Sequence, residues 1–340
     1  VSQRPISNPK NPWASSELEY LEPPPAVLEV FEDRTRKILA ENDSPDVGFR
    51  FSVNPYRGCM HACAYCYARP THEYLSFGAG TDFDRKITVK LEAAALLREA
   101  FERRSWQGER VVFSGVTDCY QPLEASYRLT RACLEVCVEY RNPVGIITKA
   151  PLIERDLDLL IALKERASVH VAISVPFWDE MNARAIEPYV ATPRRRIRAI
   201  ETLARAGLDV CVNVAPLIPG LGDTDVVSIL EAAREAGARR AGMVFLRLPG
   251  SVKEVFAARV REALPLRAEK ILRKVREARG GALYDPRFGA RQRGQGEYAE
   301  AAQALFATTA RRLGLATAWP DELPTTFQRP PKVGAQLSLL

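Results

Sequence analysis

Between Asn54 and Pro70 the chain reads Asn-Pro-Tyr-Arg-Gly-Cys-Met-His-Ala-Cys-Ala-Tyr-Cys-Tyr-Ala-Arg-Pro, which sets Cys59, Cys63 and Cys66 in a C-x3-C-x2-C array directly after a strand-like run. Three thiols so close in sequence can curl around one centre, and soft sulfur donors select iron-sulfur clusters or zinc over magnesium or calcium. The pattern holds no fourth cysteine nearby. A cubane [4Fe-4S] cluster ordinarily takes four cysteines, so three would leave one iron open to an outside ligand. The other reading is a structural zinc knuckle with His61 or a distant cysteine as fourth ligand. Structural zinc sites are closed and pair C-x2-C with a second pair of ligands, and the sequence holds no second C-x2-C or H-x3-H.

At 340 residues the chain is long enough for one large domain with additions, or for two domains. It has no apolar run of 18 or more residues, and Val-Ser-Gln-Arg-Pro at its start has no signal-peptide core. A cytoplasmic protein without a membrane partner is expected. Seven cysteines, three of them clustered, make a poor disulfide framework and fit a reducing compartment. Cys133 and Cys137, one helical turn apart, and Cys211 in an apolar run are expected to be buried packing thiols.

Residues 1–47 are expected to form an amino-terminal extension, with a proline cluster at Pro23 to Pro25 and a helix over Ala26 to Glu41. Asn-Asp-Ser-Pro at 42–45 supplies turn chemistry. Val47 to Val53 is expected to be the strand that delivers the cysteine loop. Beyond it, strand-like runs at Val111–Ser114, Val144–Thr148, Val169–Val175, Val210–Ala215 and Ala241–Arg247 alternate with helical runs at Leu91–Arg104, Ser126–Tyr140, Ile153–Lys164, Pro193–Ala206 and Val226–Ala236. Apolar strands alternating with helices imply a parallel sheet with helices outside. Polar groups follow the strands, in Ser114-Gly115-Val116-Thr117-Asp118-Cys119-Tyr120-Gln121-Pro122, in Thr148-Lys149 and in Ser174-Val175-Pro176.

The array resembles the cluster motif of the radical S-adenosylmethionine (SAM) superfamily, which carries an aromatic residue just before the third cysteine, as Tyr65 is here. The resemblance implies that Cys59, Cys63 and Cys66 hold a [4Fe-4S] cluster whose open iron chelates SAM. It also implies an α/β fold, a partial (β/α)6 TIM-type barrel, over residues 48–250, and an electron donor such as flavodoxin or ferredoxin. The strand-end residues are similar to those of the spore photoproduct lyase-like group. By that likeness Thr117, Asp118, Lys149 and Ser174 hold the methionyl and ribose parts of SAM, with Lys149 as the carboxylate partner. Asn213 and the Ala215-Pro216 bend resemble the element on which the adenine rests. Glu187-Pro188 and Pro193-Arg194-Arg195-Arg196 also resemble this group, with Arg195 as the expected SAM or substrate contact. One departure stands out: the group's lyase has a hydrogen-donating cysteine just before the Thr/Ser-Asp pair, where this chain has Gly115 and Val116. The nearest thiol is Cys119, with Tyr120 beside it as a radical relay.

Residues 251–320 are expected to form a basic, mostly helical segment. Leu264 to Arg279 has one apolar face, and Arg259 to Arg312 carries net charge +7 against −1 for the rest of the chain. Arg287, Arg291 and Arg293, interleaved with glycines and aromatics, have the composition of a nucleic-acid surface. Residues 321–340 are expected to be a flexible tail, with a Pro-rich linker at Phe327 to Lys332 and a Gln336-Leu337-Ser338-Leu339-Leu340 end that resembles the sliding-clamp-binding pentapeptide of bacteria. Together these features favour a radical SAM enzyme acting on DNA, with two alternatives. One is the same chemistry on a peptide or small metabolite; the other is a non-catalytic zinc-containing DNA- and clamp-binding protein.

Overall fold

The computed structural model describes residues 3–5, 27–318 and 324–331. Its first part forms strands β1 (Gln3–Pro5), β2 (Glu29–Asp33), β3 (Leu39–Glu41), β4 (Phe51–Val53) and β5 (Tyr56–Arg57), then helix α1 (Thr81–Arg85) and β6 (Lys86–Val89). Strands and helices then alternate. They are α2 (Ala93–Glu102), β7 (Val111–Phe113), α3 (Glu124–Tyr127), α4 (Leu129–Glu139), β8 (Val144–Thr148), α5 (Leu157–Arg166), β9 (Val169–Ser174), α6 (Glu180–Ile186), α7 (Pro193–Arg205), β10 (Val210–Leu217), α8 (Val226–Glu235) and β11 (Arg240–Phe245). Four helices follow: α9 (Val252–Ala263), α10 (Ala268–Glu277), α11 (Ala290–Arg293) and α12 (Gly296–Arg312).

The main sheet runs β11-β10-β9-β8-β7-β4-β3. From β4 to β11 the six strands are all parallel, in the order in which the chain lays them down. This is the α/β sheet expected, with crossover helices covering one face. The two-residue period of a strand decides what each face carries. On β8, β9 and β10 one set, including Val144, Ile146, Val171, Ile173, Val210 and Val212, packs in the main core against Leu134, Leu160, Leu163, Ile200 and Leu203 of the helices. The alternate set, Gly145, Ile147, His170, Ala172, Ser174, Cys211 and Asn213, is smaller or more polar and lines a cavity on the concave face. The sheet does not close on itself: its edges are β11 and β3.

The helix expected over Ala26 to Glu41 is not formed by the described residues 27–41. β2 pairs in parallel with β6, Val30 opposite Ile87, inside a small sheet of order β1-β2-β6-β5. β3 pairs antiparallel with β4, Leu39 opposite Val53, on the edge of the main sheet. Two sheet edges offer this segment complete backbone ladders, and a local helical period cannot compete with that pairing. The charged run Arg34 to Lys37 separates the two pieces.

In the carboxyl-terminal part, Ala268, Ile271, Leu272 and Val275 of α10 are buried, the apolar face that its period indicates. Residues 324–331 are docked rather than serving as a free linker. Phe327 stacks on Tyr140 at 6.2 Å, and Arg329 donates to the carbonyls of Phe101, in the last turn of α2, and of Arg103 and Trp106 just beyond it. Gln336, Leu337, Leu339 and Leu340 lie outside the described residues.

Candidate functional site

The cysteine loop leaves β5 at Gly58, where φ is +79° and an added Cβ would lie 2.8 Å from the Phe83 carbonyl oxygen. Only glycine fits such a backbone without strain. Gln121 then clamps the loop on both sides of Cys59: its Nε2 donates to the Gly58 carbonyl at 3.0 Å, and its Oε1 accepts the Met60 N–H at 3.0 Å. Arg69, 2% exposed, donates from Nε to the Cys63 carbonyl, from Nη1 to the carbonyls of Ala79 and Gly80, and from Nη2 to Asp84 at 2.9 Å. Tyr65 donates its hydroxyl to Glu187, whose other oxygen binds Arg196. Arg196, 1% exposed, also donates to the carbonyls of Ser174 at 3.0 Å and Ala191 at 2.7 Å. The loop is thereby tied to β9 and to the start of α7 by buried, fully partnered charges.

Cys59, Cys63 and Cys66 are free thiols that line one cavity of about 850 Å3. Burial pushes all three thiols above the usual range, so binding a metal centre would displace protons from them. Among the described residues, no set of three or more Cys, His, Asp or Glu side chains could hold a metal ion in this arrangement. Thiols grouped around a volume suit a cluster of several irons, each taking one thiolate. His61, the fourth zinc ligand considered above, faces Asp118 with Nδ1 3.5 Å from the carboxylate.

The strand ends bring Thr117, Asp118, Lys149, Ser174 and Asn213 to the same cavity, beside Tyr65. They divide into two groups. Thr117 Oγ1 donates to the Tyr56 carbonyl, and Asp118 accepts the Thr148 hydroxyl at 2.6 Å and the Lys149 N–H at 2.8 Å. Their polar atoms are engaged in tying the segment after β7 to β5, through Thr117, and to the end of β8, through Asp118. Among the described residues the side chains of Ser174 and Asn213 make no hydrogen bond, and the Lys149 ammonium makes no ion pair; it stands 5.8 Å from the centre of the Tyr65 ring. Burial works against the charge on Lys149, yet Cys63, Glu187 and Asp118 around it hold its pKa above the ordinary value. The Ala215-Pro216 peptide is cis, and both residues line the cavity.

The opposite side is the open edge of the sheet. Asp46, in the loop before β4, accepts the Gly289 N–H at 2.6 Å and binds Arg291, which also binds the Ser44 hydroxyl. This is a bridge across more than 240 residues of chain. Arg247, just beyond β11, lines the cavity and lies 5.3 Å above the ring of Tyr67, whose hydroxyl donates to the Gly115 carbonyl at 2.7 Å.

Several expected site residues stand elsewhere. Cys119 and Tyr120 do not line the cavity; both are 1% exposed and belong to the main core. Asp118 faces the cavity and the chain turns back beneath α4 at the next residue, where the Cys119 carbonyl accepts the Thr130 hydroxyl. Arg195 forms a two-pronged pair with Glu154 at 2.6 and 2.9 Å and does not reach the cavity. Thr192 caps α7, so Arg195 lies in the first turn facing out and Arg196, 100° further round, faces in. Arg287, paired with Asp285 at 2.7 Å, and Arg293, exposed on α11, do not line the cavity, whereas Arg291 does line it and is engaged by Asp46. Arg69, Gln121, Arg196, Tyr67, Asp46 and Arg247 were not expected. Arg69 and Tyr67 had a signal in their places directly after the cysteine array, Gln121 in the polar run that follows Thr117-Asp118, and Arg196 in the run of arginines that opens α7.

A family model described as the Radical SAM superfamily matches residues 53–233. An uncharacterized protein of Mycobacterium tuberculosis (strain ATCC 25618 / H37Rv) is 40% identical over 219 residues, and the match covers 64% of this chain and 64% of that relative. The chain thus spans less than two thirds of that relative's length. An uncharacterized protein of Methanocaldococcus jannaschii is 28% identical over 200 residues, covering 59% of this chain and 72% of its own. Among solved structures, spore photoproduct lyase complexed with dinucleoside spore photoproduct aligns with a TM-score of 0.56 over 85% of this chain and 80% of that one, at 16% identity. That likeness is one of fold.

Proposed function

The chain belongs to the radical SAM superfamily, and from that premise we propose that it uses a [4Fe-4S] cluster and SAM, the cofactors of its family, to repair or modify DNA. Cys59, Cys63 and Cys66 hold the cluster and leave one iron position for SAM. One observation carries the reading: three free thiols share a cavity with Lys149, Ser174 and Asn213, polar side chains that make no hydrogen bond or ion pair among the described residues. Held by Cys59, Cys63 and Cys66, such a cluster would supply, once reduced, the electron for reductive cleavage of SAM to methionine and a 5'-deoxyadenosyl radical. Lys149 meets the SAM carboxylate through a charge-assisted hydrogen bond. Ser174 and Asn213, opposite each other on adjacent strands, offer hydrogen bonds to the sugar and base, and Ile147, Ala172 and Val244 add apolar lining to the same cavity. Thr117 and Asp118 act one step back by fixing the strand ends.

The net charge of +7 between Arg259 and Arg312 and the shared fold with a lyase solved with a dinucleoside spore photoproduct support DNA as substrate. The tail Gln336 to Leu340 is proposed to recruit the enzyme to a sliding clamp, and a flavodoxin or ferredoxin to deliver the electron. A second reading, a peptide or small-metabolite substrate, draws on the internal pairing of Arg287 and Arg291. The test is anaerobic reconstitution with iron and sulfide, followed by electron paramagnetic resonance with and without SAM and quantification of 5'-deoxyadenosine. Replacing Cys59, Cys63 and Cys66 by Ala should abolish both the cluster signal and deoxyadenosine. Damaged or modified DNA should change the yield; a yield indifferent to every DNA tested favours the second reading, and stoichiometric zinc without a cluster overturns both.

A further inference from the structure

We infer that Arg247, braced by Tyr67, is a phosphate-binding subsite for a nucleotide substrate. The identity of the molecule carrying the phosphate rests on the DNA reading above; the chemistry of the subsite does not. Arg247 follows β11 and lines the cavity at its open edge. Among the described residues its side chain makes no hydrogen bond or ion pair, and its buried Nε has no partner. Among the other arginines that line the cavity, Arg291 is engaged by Asp46 and Ser44, and Arg240 by Asp209 at 2.7 Å; Arg110, whose Nε also has no partner, stands before β7 at the amino-terminal end of the strand, the end away from the cysteine loop. Asp46, the acid that feels Arg247 at longer range, is already bound by Gly289 and Arg291. A guanidinium partly withdrawn from water and left without a counter-charge is costly unless an anion arrives with the ligand.

The position argues for the substrate rather than the cofactor. Two unpaired cations flank the cysteine loop, Lys149 over the Tyr65 ring and Arg247 over the Tyr67 ring. Lys149 is matched to the single carboxylate of SAM, which leaves Arg247 for a second anion. Tyr67, anchored on Gly115 and 44% exposed, holds the guanidinium from one face and leaves its Nη groups free. That planar fork suits two oxygens of one phosphate better than an ammonium does. Phe288, 60% exposed and 4.4 Å from the Arg291 guanidinium, offers a stacking surface for a base at the same edge.

The test titrates the full reconstituted chain with a labelled single-stranded oligonucleotide across a salt series, and with thymidine monophosphate and thymidine separately. Arg247→Gln should weaken the oligonucleotide about tenfold and lower the salt slope by about one, with Arg247→Lys recovering part of the loss. Tyr67→Leu, which removes the brace and keeps the cation, should fall between. Thymidine monophosphate should bind in an Arg247-dependent manner and thymidine should not bind. Unchanged oligonucleotide binding in Arg247→Gln overturns the subsite and leaves the DNA reading standing. Arg247-dependent binding of the monophosphate without oligonucleotide binding sinks the DNA reading and assigns the subsite to a free nucleotide. Binding of neither overturns both, and a loss of SAM affinity alone in Arg247→Gln gives the guanidinium to the cofactor and overturns the proposal.

Discussion

On the side of the cavity formed by residues 54–70, the buried arginines have carboxylate and carbonyl partners inside the protein: Arg69 with Asp84 and three carbonyls, Arg196 with Glu187 and two more. On the side formed by residues 44–46, 247 and 287–292, one carboxylate ties the two edges together and Arg247 is left over. The first arrangement fixes a loop before any ligand arrives, so a centre bound there meets groups already in place. The second closes an incomplete barrel by a few polar contacts, which a ligand can replace without dismantling the core. This difference in partnering leaves a fixed wall beside the cysteine loop and an edge held by few contacts.

The largest effect is expected where the wall is broken from within. Arg196→Met leaves Glu187 buried and charged beside Tyr65, and loss of one member of such a pair costs about 3–5 kcal/mol. Denaturant unfolding measures it, and pairing the change with Glu187→Met should recover much of the loss. A cost below about 1 kcal/mol would mean that the wall does not depend on this pair. Gly58→Ala comes next, with about 1–3 kcal/mol from strain at a positive φ and the approach to Phe83; iron content after reconstitution should fall with stability.

The edge should respond locally. Asp46→Asn is expected to speed hydrogen exchange in residues 44–48 and 287–292 while leaving the global unfolding midpoint close to wild type; a large drop in the midpoint would show that the bridge belongs to the rigid core. Acid should act the same way at low pH. Desolvation works against the Asp46 carboxylate, but Gly289 and Arg291 outweigh it and hold its pKa below the usual value. Its contribution is therefore complete above about 3.9, the ordinary aspartate value, and is lost as pH falls through the lowered one. The Gly289 amide resonance should titrate below that ordinary value; a midpoint at or above it breaks the bridge as a description of this edge.

Most of the parallel sheet was legible because its strands are short, mainly apolar runs and the helices between them repeat at 3.6 residues. The segment 27–41 was not, because its conformation comes from pairing partners at Val53 and Ile87 that no local pattern reveals. The cysteine array was legible because its ligands are neighbours in sequence. Cys119 and Arg195 were misplaced for one reason: near a turn or a helix start, a shift of one residue exchanges cavity for core, as between Asp118 and Cys119, or solvent for core, as between Arg195 and Arg196.

By itself the sequence determined the soft-donor loop, the alternation of strand and helix, and the polar groups at the strand ends, because each is encoded by residues within a few positions of one another. Only the tertiary structure decided which of those polar groups remain free. Thr117 and Asp118 are taken by Tyr56 and Thr148, Arg291 by Asp46, and Arg247 by no hydrogen bond or ion pair among the described residues. The physical reason is that a charge's availability is set by what lies within hydrogen-bond reach, and here those neighbours come from residues up to 247 positions away.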